Sequence, residues 1–339
     1  MKKVFYLFSQ IIFILFIDHL LYKKKKLLFS GKNIGELYLR LNKYNLLDKI
    51  KIEYDKNKFA ILYYNRTNRW GLFAHYRHYI ACIIHYLSLG YIPIIDLATT
   101  LNVFNGYNKC SIKKNPWEIF FNQPFGYTLE NVIKKSKKFK YFECIKLYNI
   151  PLYYIFNNKV LLYFWQNIAN KYIPLKNKIK KESNLIIKAL FKGANNILGV
   201  LLRGTDYLTN KPRGHPIPPK IELVIKDIKN MEKKNKYKYI FLTTEDEIIR
   251  NKLINKLGKK LKYLKYKKNI NYNYNKKKKL GDYKFIKGNI NYTKIYLINI
   301  IILSKCIDII SARTSGSIGA FIFSKGFRNV KVYFLGEYK

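Results

Sequence analysis

The stretch Ile197-Leu198-Gly199-Val200-Leu201-Leu202-Arg203-Gly204-Thr205-Asp206 decides the fold. Its apolar run is short and unbroken, and an arginine, a glycine and polar residues close it. That is the pattern of a strand buried on both faces. The same alternation then repeats downstream. Pro219–Lys234 reads as an amphipathic helix, Tyr237–Thr243 as a strand, and Thr244-Glu245-Asp246-Glu247 as a polar turn into a helix ending at Leu257. Tyr292–Ser304 is an apolar helix and Ile307–Ile310 a strand. Ser311-Ala312-Arg313-Thr314-Ser315-Gly316-Ser317 opens a helix to Phe323, and Val330–Leu335 is the last strand. Strand and helix alternate from 197 to 339, which predicts a parallel sheet with helices on both faces.

Upstream the signal is shorter. Phe59–Tyr64 reads as a buried strand. Arg69-Trp70-Gly71-Leu72-Phe73 forms a glycine turn, a helix runs to Gly90, and Tyr91–Asp96 is a second strand, so a βαβ unit is expected. Residues 155–192 carry a helical period with lysines on one face. The loop around Trp117, Gln123 and Tyr127 is rich in Pro, Gly and aromatics. It suits sugar stacking, although Trp117 itself reads as core. The expected architecture is α/β, with two Rossmann-like domains facing a cleft. Residues 1–30 form an N-terminal segment, 31–180 an acceptor-side domain and 181–339 a nucleotide-sugar-binding domain.

Composition narrows the class. The chain has 339 residues, 49% of them hydrophobic, which excludes a disordered polyelectrolyte; with 17 glycines and 4 cysteines it is neither collagen nor a disulfide scaffold. Lys+Arg number 65 against 20 Asp+Glu, a net charge of +45. Such a charge suits nucleic acid, anionic lipid or phosphorylated substrates. It also accompanies an abundance of Lys, Asn, Ile and Tyr, all with A/T-rich codons. Cys82, Cys110, Cys144 and Cys306 form no CxxC pair and have no histidine at ligand spacing. They read as buried thiols in a reducing compartment, with no metal site.

The N-terminus is apolar from Val4 to Ile17, then carries Asp18, His19 and the run Lys23–Lys26. A helix over Val4–Tyr22 would be about 28 Å long, marginal for a span of about 30 Å. Spanning, lying on an anionic membrane surface through residues 4–26, and packing on its own domain stay open. The lysines after the segment place the body on the cytoplasmic side, at the inner membrane face if the segment engages the bilayer.

Three polar loops follow strands, and in parallel sheets ligands bind beyond the carboxyl ends. Arg203 beside Gly204 suits bidentate phosphate binding. His215, between Gly214 and Pro216, either contacts a ligand or fixes its loop. Glu245 and Asp246 either hold a ligand or favour the first turn of the next helix, which Thr244 is expected to cap. Ser315, Gly316 and Ser317, after Arg313, make an anion site at a helix start. The loop lacks the lysine of a P-loop, and the first strand lacks GxGxxG. An arginine, an acidic pair and a hydroxyl-rich helix start at one sheet edge fit a nucleoside diphosphate best.

The series Leu202-Arg203-Gly204-Thr205-Asp206, His215-Pro216-Ile217, Thr243-Thr244-Glu245-Asp246 and Ser311–Ser317 resembles the α-1,6-fucosyltransferases and their nodulation relatives in motif order and spacing. The resemblance covers about 140 residues of the C-terminal half. It implies a GT-B-like fold and transfer of a sugar from a nucleotide sugar, GDP-fucose in that family, to a glycan hydroxyl in cell-surface polysaccharide or glycan biosynthesis. It also implies inversion with neither metal nor cofactor. Arg203 then falls on the arginine that holds the donor pyrophosphate. Asp206 and His215 fall on the family's Asp and His-Pro, Thr244, Glu245 and Asp246 on its acidic turn, and Ser315 and Ser317 near its serines. Two positions depart: Gly204 stands where the family commonly has a second arginine, and the acidic turn reads Glu-Asp. Gly71 is similar to the Gly-rich opening of these enzymes. Asp206, Glu245 and Asp246 are unranked candidates for the base. Two alternatives are a basic nucleic-acid-binding protein, drawing on Lys259–Leu280 with its interleaved tyrosines, and a non-catalytic glycan-binding relative.

Overall fold

A computed structural model of the chain describes residues 58–64, 70–106, 108, 110–136, 138–144, 150–204, 206–264 and 289–339. Residues 4–26, Arg69, Thr205 and most of Lys259–Leu280 lie outside them. The chain divides into two compact units. One takes in the described residues up to 64 with 76–100 and 111–174; the other takes in 70–75, 101–110 and 175–339. The division therefore falls near 174 rather than 180, and two short upstream segments join the C-terminal unit.

In the first unit, β1 (Phe59–Tyr63), α1 (Leu72–Ser88, which begins in the other unit) and β2 (Ile92–Ile95) form the expected βαβ unit. β1 pairs in parallel with β2 and with β3 (Phe139–Glu143), in the order β2-β1-β3. β1 is central, and its Ala60, Ile61 and Leu62 are fully buried. Pro93 has no donor and sits on β2, an edge strand, where the missing ladder bond costs least. The outer side of β2 is completed by side-chain amides. Gln123 accepts from Ile95 N–H at 2.9 Å and donates to Ile95 C=O at 2.7 Å, while Asn115 accepts from Leu97 N–H at 3.1 Å. Two short helices, α2 (Trp117–Phe120) and α3 (Leu129–Lys135), and the longer α4 (Lys159–Tyr172) finish this unit.

The helical run expected over 155–192 is broken at Ile173-Pro174, because a residue preceding proline is pushed out of the helical region. α5 (Asn177–Phe191) then opens the second unit. Its strands are β4 (Ile197–Leu201), β5 (Tyr239–Thr243), β6 (Leu261–Lys262), β7 (Asp308–Ala312) and β8 (Val330–Tyr333), all parallel, in the order β6-β5-β4-β7-β8. The connecting helices are α6 (Asp206–Asn210), α7 (Ile221–Asn235), α8 (Glu247–Leu257), α9 (Ile290–Leu303) and α10 (Ser315–Phe323). The chain steps outward from β4 through β5 to β6, then returns to the other side of β4 for β7 and β8. The reversal puts the topological switch point between the carboxyl ends of β4 and β7.

Leu198, Val200, Ile240, Leu242 and Ile310 face Val224 and Ile228 of α7 and Leu253 of α8 in one core layer. Gly199 points to the other face, where a Cβ would stand 2.5 Å from Leu303 Cδ1, so the end of α9 lies close to the sheet. Cys82, Cys144 and Cys306 are buried free thiols as expected; Cys110 is only partly buried, because it sits in a loop rather than on a core face. At the amino end of the sheet, buried Asp308 accepts from Arg328 Nε at 3.1 Å and Nη2 at 2.6 Å, from Asn329 N–H at 2.9 Å and from the Tyr237 hydroxyl. Among the described residues no helix is long and apolar enough to cross a membrane.

Candidate functional site

Every loop singled out in the C-terminal half lies at the carboxyl end of this sheet. Arg203 follows β4 directly. Glu245 follows β5, the parallel neighbour of β4, in a register that sets Leu201 beside Thr243. The two meet: Glu245 Oε1 lies 3.2 Å from Arg203 Nε and accepts from Gly204 N–H at 3.2 Å. The Arg203 side chain is a quarter exposed and that of Glu245 a tenth. Arg203 also lies over the Tyr207 ring, 4.9 Å from its centroid. The Tyr207 hydroxyl is 2.8 Å from His215 Nδ1. Glu245 and Tyr207 therefore hold the guanidinium from two sides.

The His215 loop is fixed by the chain's own C-terminal residues. Gly214 N–H donates to Tyr338 C=O at 2.8 Å, Tyr338 N–H to His215 C=O at 3.0 Å, and Pro216 bridges Glu337. His215 thus has a loop-fixing environment while its ring stays exposed at the sheet end.

The cap of α8 is a correction. Asp246, not Thr244, is the N-cap, its Oδ1 accepting from Ile248 N–H at 2.9 Å and Ile249 N–H at 3.0 Å. Thr244 Oγ1 accepts from Asp246 N–H at 3.1 Å instead, one step ahead of the helix. Both residue types cap well, and the helix starts two residues later than the threonine requires. Asp246 also explains Gly204. A Cβ on Gly204 would stand 2.7 Å from Asp246 Cβ and 2.8 Å from its Cγ. The second motif arginine of the family has no room here. Gly204→Ala is expected to cost about 1–3 kcal/mol by overpacking, read from urea denaturation midpoints. A variant as stable as the parent would remove this account of the glycine.

Across the switch point, Thr314 caps α10, its Oγ1 accepting from Ser317 N–H at 3.1 Å. Ser317 is fully buried, and its hydroxyl donates to Ala312 C=O at 2.6 Å. Ser317 therefore shapes the loop, while Ser315 and Gly316 supply the first backbone N–H groups of the helix. Gly316 is pressed against Tyr296 of α9: a Cβ would stand 2.5 Å from the phenolic oxygen. Burial pushes the Tyr296 phenol above its ordinary range, and the Arg203 charge opposes that rise, which places the ring in the same electrostatic environment. Arg313 lies over the Phe334 ring at 3.3 Å from its centroid. Gly71 precedes α1, its carbonyl accepting from Ala74 N–H at 3.0 Å and His75 N–H at 3.3 Å, with nothing within 4 Å of where a Cβ would be. Asp206 is the first residue of α6.

Sequence reasoning missed Tyr207, Tyr296 and Phe334, and it quoted Thr243 and Ser311 within their motifs without giving either a role. The last two flank Leu201 in the register, and their hydroxyls are buried without a protein partner. Tyr296 lies in an apolar helix that gives no sign of facing a polar site. Of the aromatic loop upstream, Trp117 is core, stacked with Tyr76. Gln123 serves β2, and Tyr127 meets Phe59 edge-on at 4.9 Å.

No family model matches the chain, and no curated protein matches it. Among solved structures it is similar to the NodZ alpha-1,6-fucosyltransferase soaked with GDP-fucose, at 14% identity over 79% of this chain and 93% of that one, with a TM-score of 0.45. It is similar to the fucosyltransferase NodZ from Bradyrhizobium at 16% identity over 78% and 92%, TM-score 0.44. It is also similar to POFUT1 in complex with GDP-fucose, at 9% identity over 83% and 99%, TM-score 0.47.

Proposed function

We propose that the chain is a glycosyltransferase that takes a sugar from a nucleotide sugar, GDP-fucose or a close relative, and passes it to a glycan hydroxyl. One observation carries this assignment. At the switch point of a doubly wound sheet, an arginine oriented by Glu245 and Tyr207 stands across from the N-terminus of α10. Such a pair of cationic elements suits a diphosphate. The buried hydroxyls of Thr243 and Ser311 add polar groups beneath the same edge.

In the proposed reaction the acceptor hydroxyl attacks the anomeric carbon. The bond from that carbon to the phosphate oxygen breaks, and its electron pair leaves with the nucleoside diphosphate. A base takes the acceptor proton, and configuration inverts. Charge develops on the leaving diphosphate, where Arg203 and the first N–H groups of α10 stabilise it. Two of the three candidate acids already have duties at this edge. Asp246 caps α8 and Glu245 holds Arg203 and Gly204, so both are positioning residues. Asp206, which the resemblance sets on the family's motif aspartate, is the acid proposed as the base.

A thermal-shift panel of nucleoside diphosphates tests the donor class. GDP at a hundred times its Kd stabilises the fold by about 2.7 kcal/mol, which raises the melting temperature by roughly 4 °C in a chain of this size. UDP and CDP are expected to give little. A flat response to all three would remove the enzyme assignment, and glycan binding without donor turnover would indicate a non-catalytic relative.

A further inference from the structure

We infer that the amino-terminal end of the five-stranded sheet, opposite the candidate donor site, is a docking surface for an anionic lipid bilayer. All five strands are parallel, so the chain enters each of them at this one end. Each entry loop carries exposed lysine: Lys192 before β4, Lys236 and Lys238 before β5, Lys259 and Lys260 before β6, Lys305 before β7 and Lys325 before β8. The loops contain no acid. The nearby carboxylates are already engaged, Glu232 by Lys260 and buried Asp308 by Arg328. Acidic Glu245, Asp246 and Glu247 lie at the other end of the sheet.

The placement runs against the local preferences of the chain. Lys192 and Lys236 end α5 and α7 in the left-handed region, at φ 47° and 49°. Glycine is the usual residue there, and any residue with a Cβ is strained. Lys305 is held with Lys325 as a like-charged neighbour, an arrangement that an anionic partner relieves. The loops are laced into one edge: Lys238 N–H donates to Asn196 C=O at 3.0 Å and Arg328 N–H to Ile307 C=O at 2.8 Å. With strands about 4.8 Å apart, the five entry points form a row of about 19 Å.

The chemistry of this end fits headgroups. Its free cations are lysines, strongly hydrated point charges that give a diffuse positive field. Among the described residues its one arginine, Arg328, is taken by Asp308. A single-stranded nucleic acid surface would interleave exposed aromatics for base stacking, whereas Tyr237 is buried and Phe327 half-buried. A bilayer docked here leaves the carboxyl ends of the strands facing away from the membrane.

The test uses the full chain and vesicles of phosphatidylcholine with 30% phosphatidylglycerol or none. Lys192→Gln, Lys238→Gln, Lys305→Gln and Lys325→Gln are combined in one variant. A matched control combines Lys114→Gln, Lys135→Gln, Lys138→Gln and Lys140→Gln in the first unit. Each lysine near an anionic surface contributes about a five-fold change in partitioning. The sheet-end variant is therefore expected to lose about a hundred-fold or more on anionic vesicles, and the control no more than a few-fold. All eight lysines are exposed, and unchanged melting temperatures confirm that folding is intact. Equal losses in the two variants, or equal binding to neutral and anionic vesicles, would overturn the proposal. So would an oligonucleotide affinity that needs these four lysines while vesicle binding does not.

Discussion

Replacing Arg203 by alanine is expected to lower donor turnover by about 100- to 1000-fold, the usual effect of deleting one group that stabilises charge in the transition state. It is also expected to abolish stabilisation by GDP. The side chain meets Glu245 at Nε and Tyr207 beneath its plane. Arg203→Lys is the informative companion. It keeps the charge but loses Nε and the planar fork, so it should recover only a small part of the activity. Asp206→Asn should separate the two steps, losing turnover while GDP still raises the melting temperature. Turnover in Arg203→Ala equal to that of the parent would end the assignment of this arginine to the diphosphate.

The parts of this site that the sequence discloses are those coded by local pattern. The apolar runs at 197–202 and 237–243 mark β4 and β5 because a strand buried on both faces needs no alternation. The loop residues after each strand then fall at one edge by topology alone, which brings Arg203 and Glu245 within reach of each other. What the local pattern does not carry is the exchange of duties inside the edge. Thr244 and Asp246 are both good caps, and only the position of the first helical turn selects the aspartate. Gly204 reads as a companion of the phosphate-binding candidate Arg203, yet the space where its Cβ would stand is filled by Asp246 from the adjacent loop. β3 escapes because, as an edge strand, it has an exposed and irregular pattern, and β6 because its two residues begin a lysine-rich run. Tyr296 is hidden in a helix whose buried run, Leu297–Leu303, dominates its pattern.

The second large effect concerns stability, and the greater loss comes from the more exposed partner. Arg328→Ala is expected to lower the urea midpoint clearly, the usual result of removing the partner of a buried carboxylate. The arginine is half exposed, but Asp308 is fully buried, and removing its bidentate partner leaves a carboxylate charge in the core. Tyr237 and Asn329 still donate to it, which limits the loss. Asp308→Asn should cost less, about 1–3 kcal/mol, because the arginine it releases can turn to solvent. The pH dependence follows from the carboxylate. Burial raises its pKa, but the donors from Arg328, Tyr237 and Asn329 outweigh burial and hold it below the ordinary carboxylate value. A depressed folded-state pKa gives stability that is fully present above the unfolded value, roughly 3.9, and is lost as pH falls through the folded one. The difference between parent and Asp308→Asn in urea melts should therefore be constant above about pH 5 and shrink below about pH 4. Arg328→Ala should move the acid transition of the protein to higher pH, since its Asp308 is easier to protonate. An acid transition at the same pH in parent and Arg328→Ala would mean that this carboxylate does not carry charge in the folded chain.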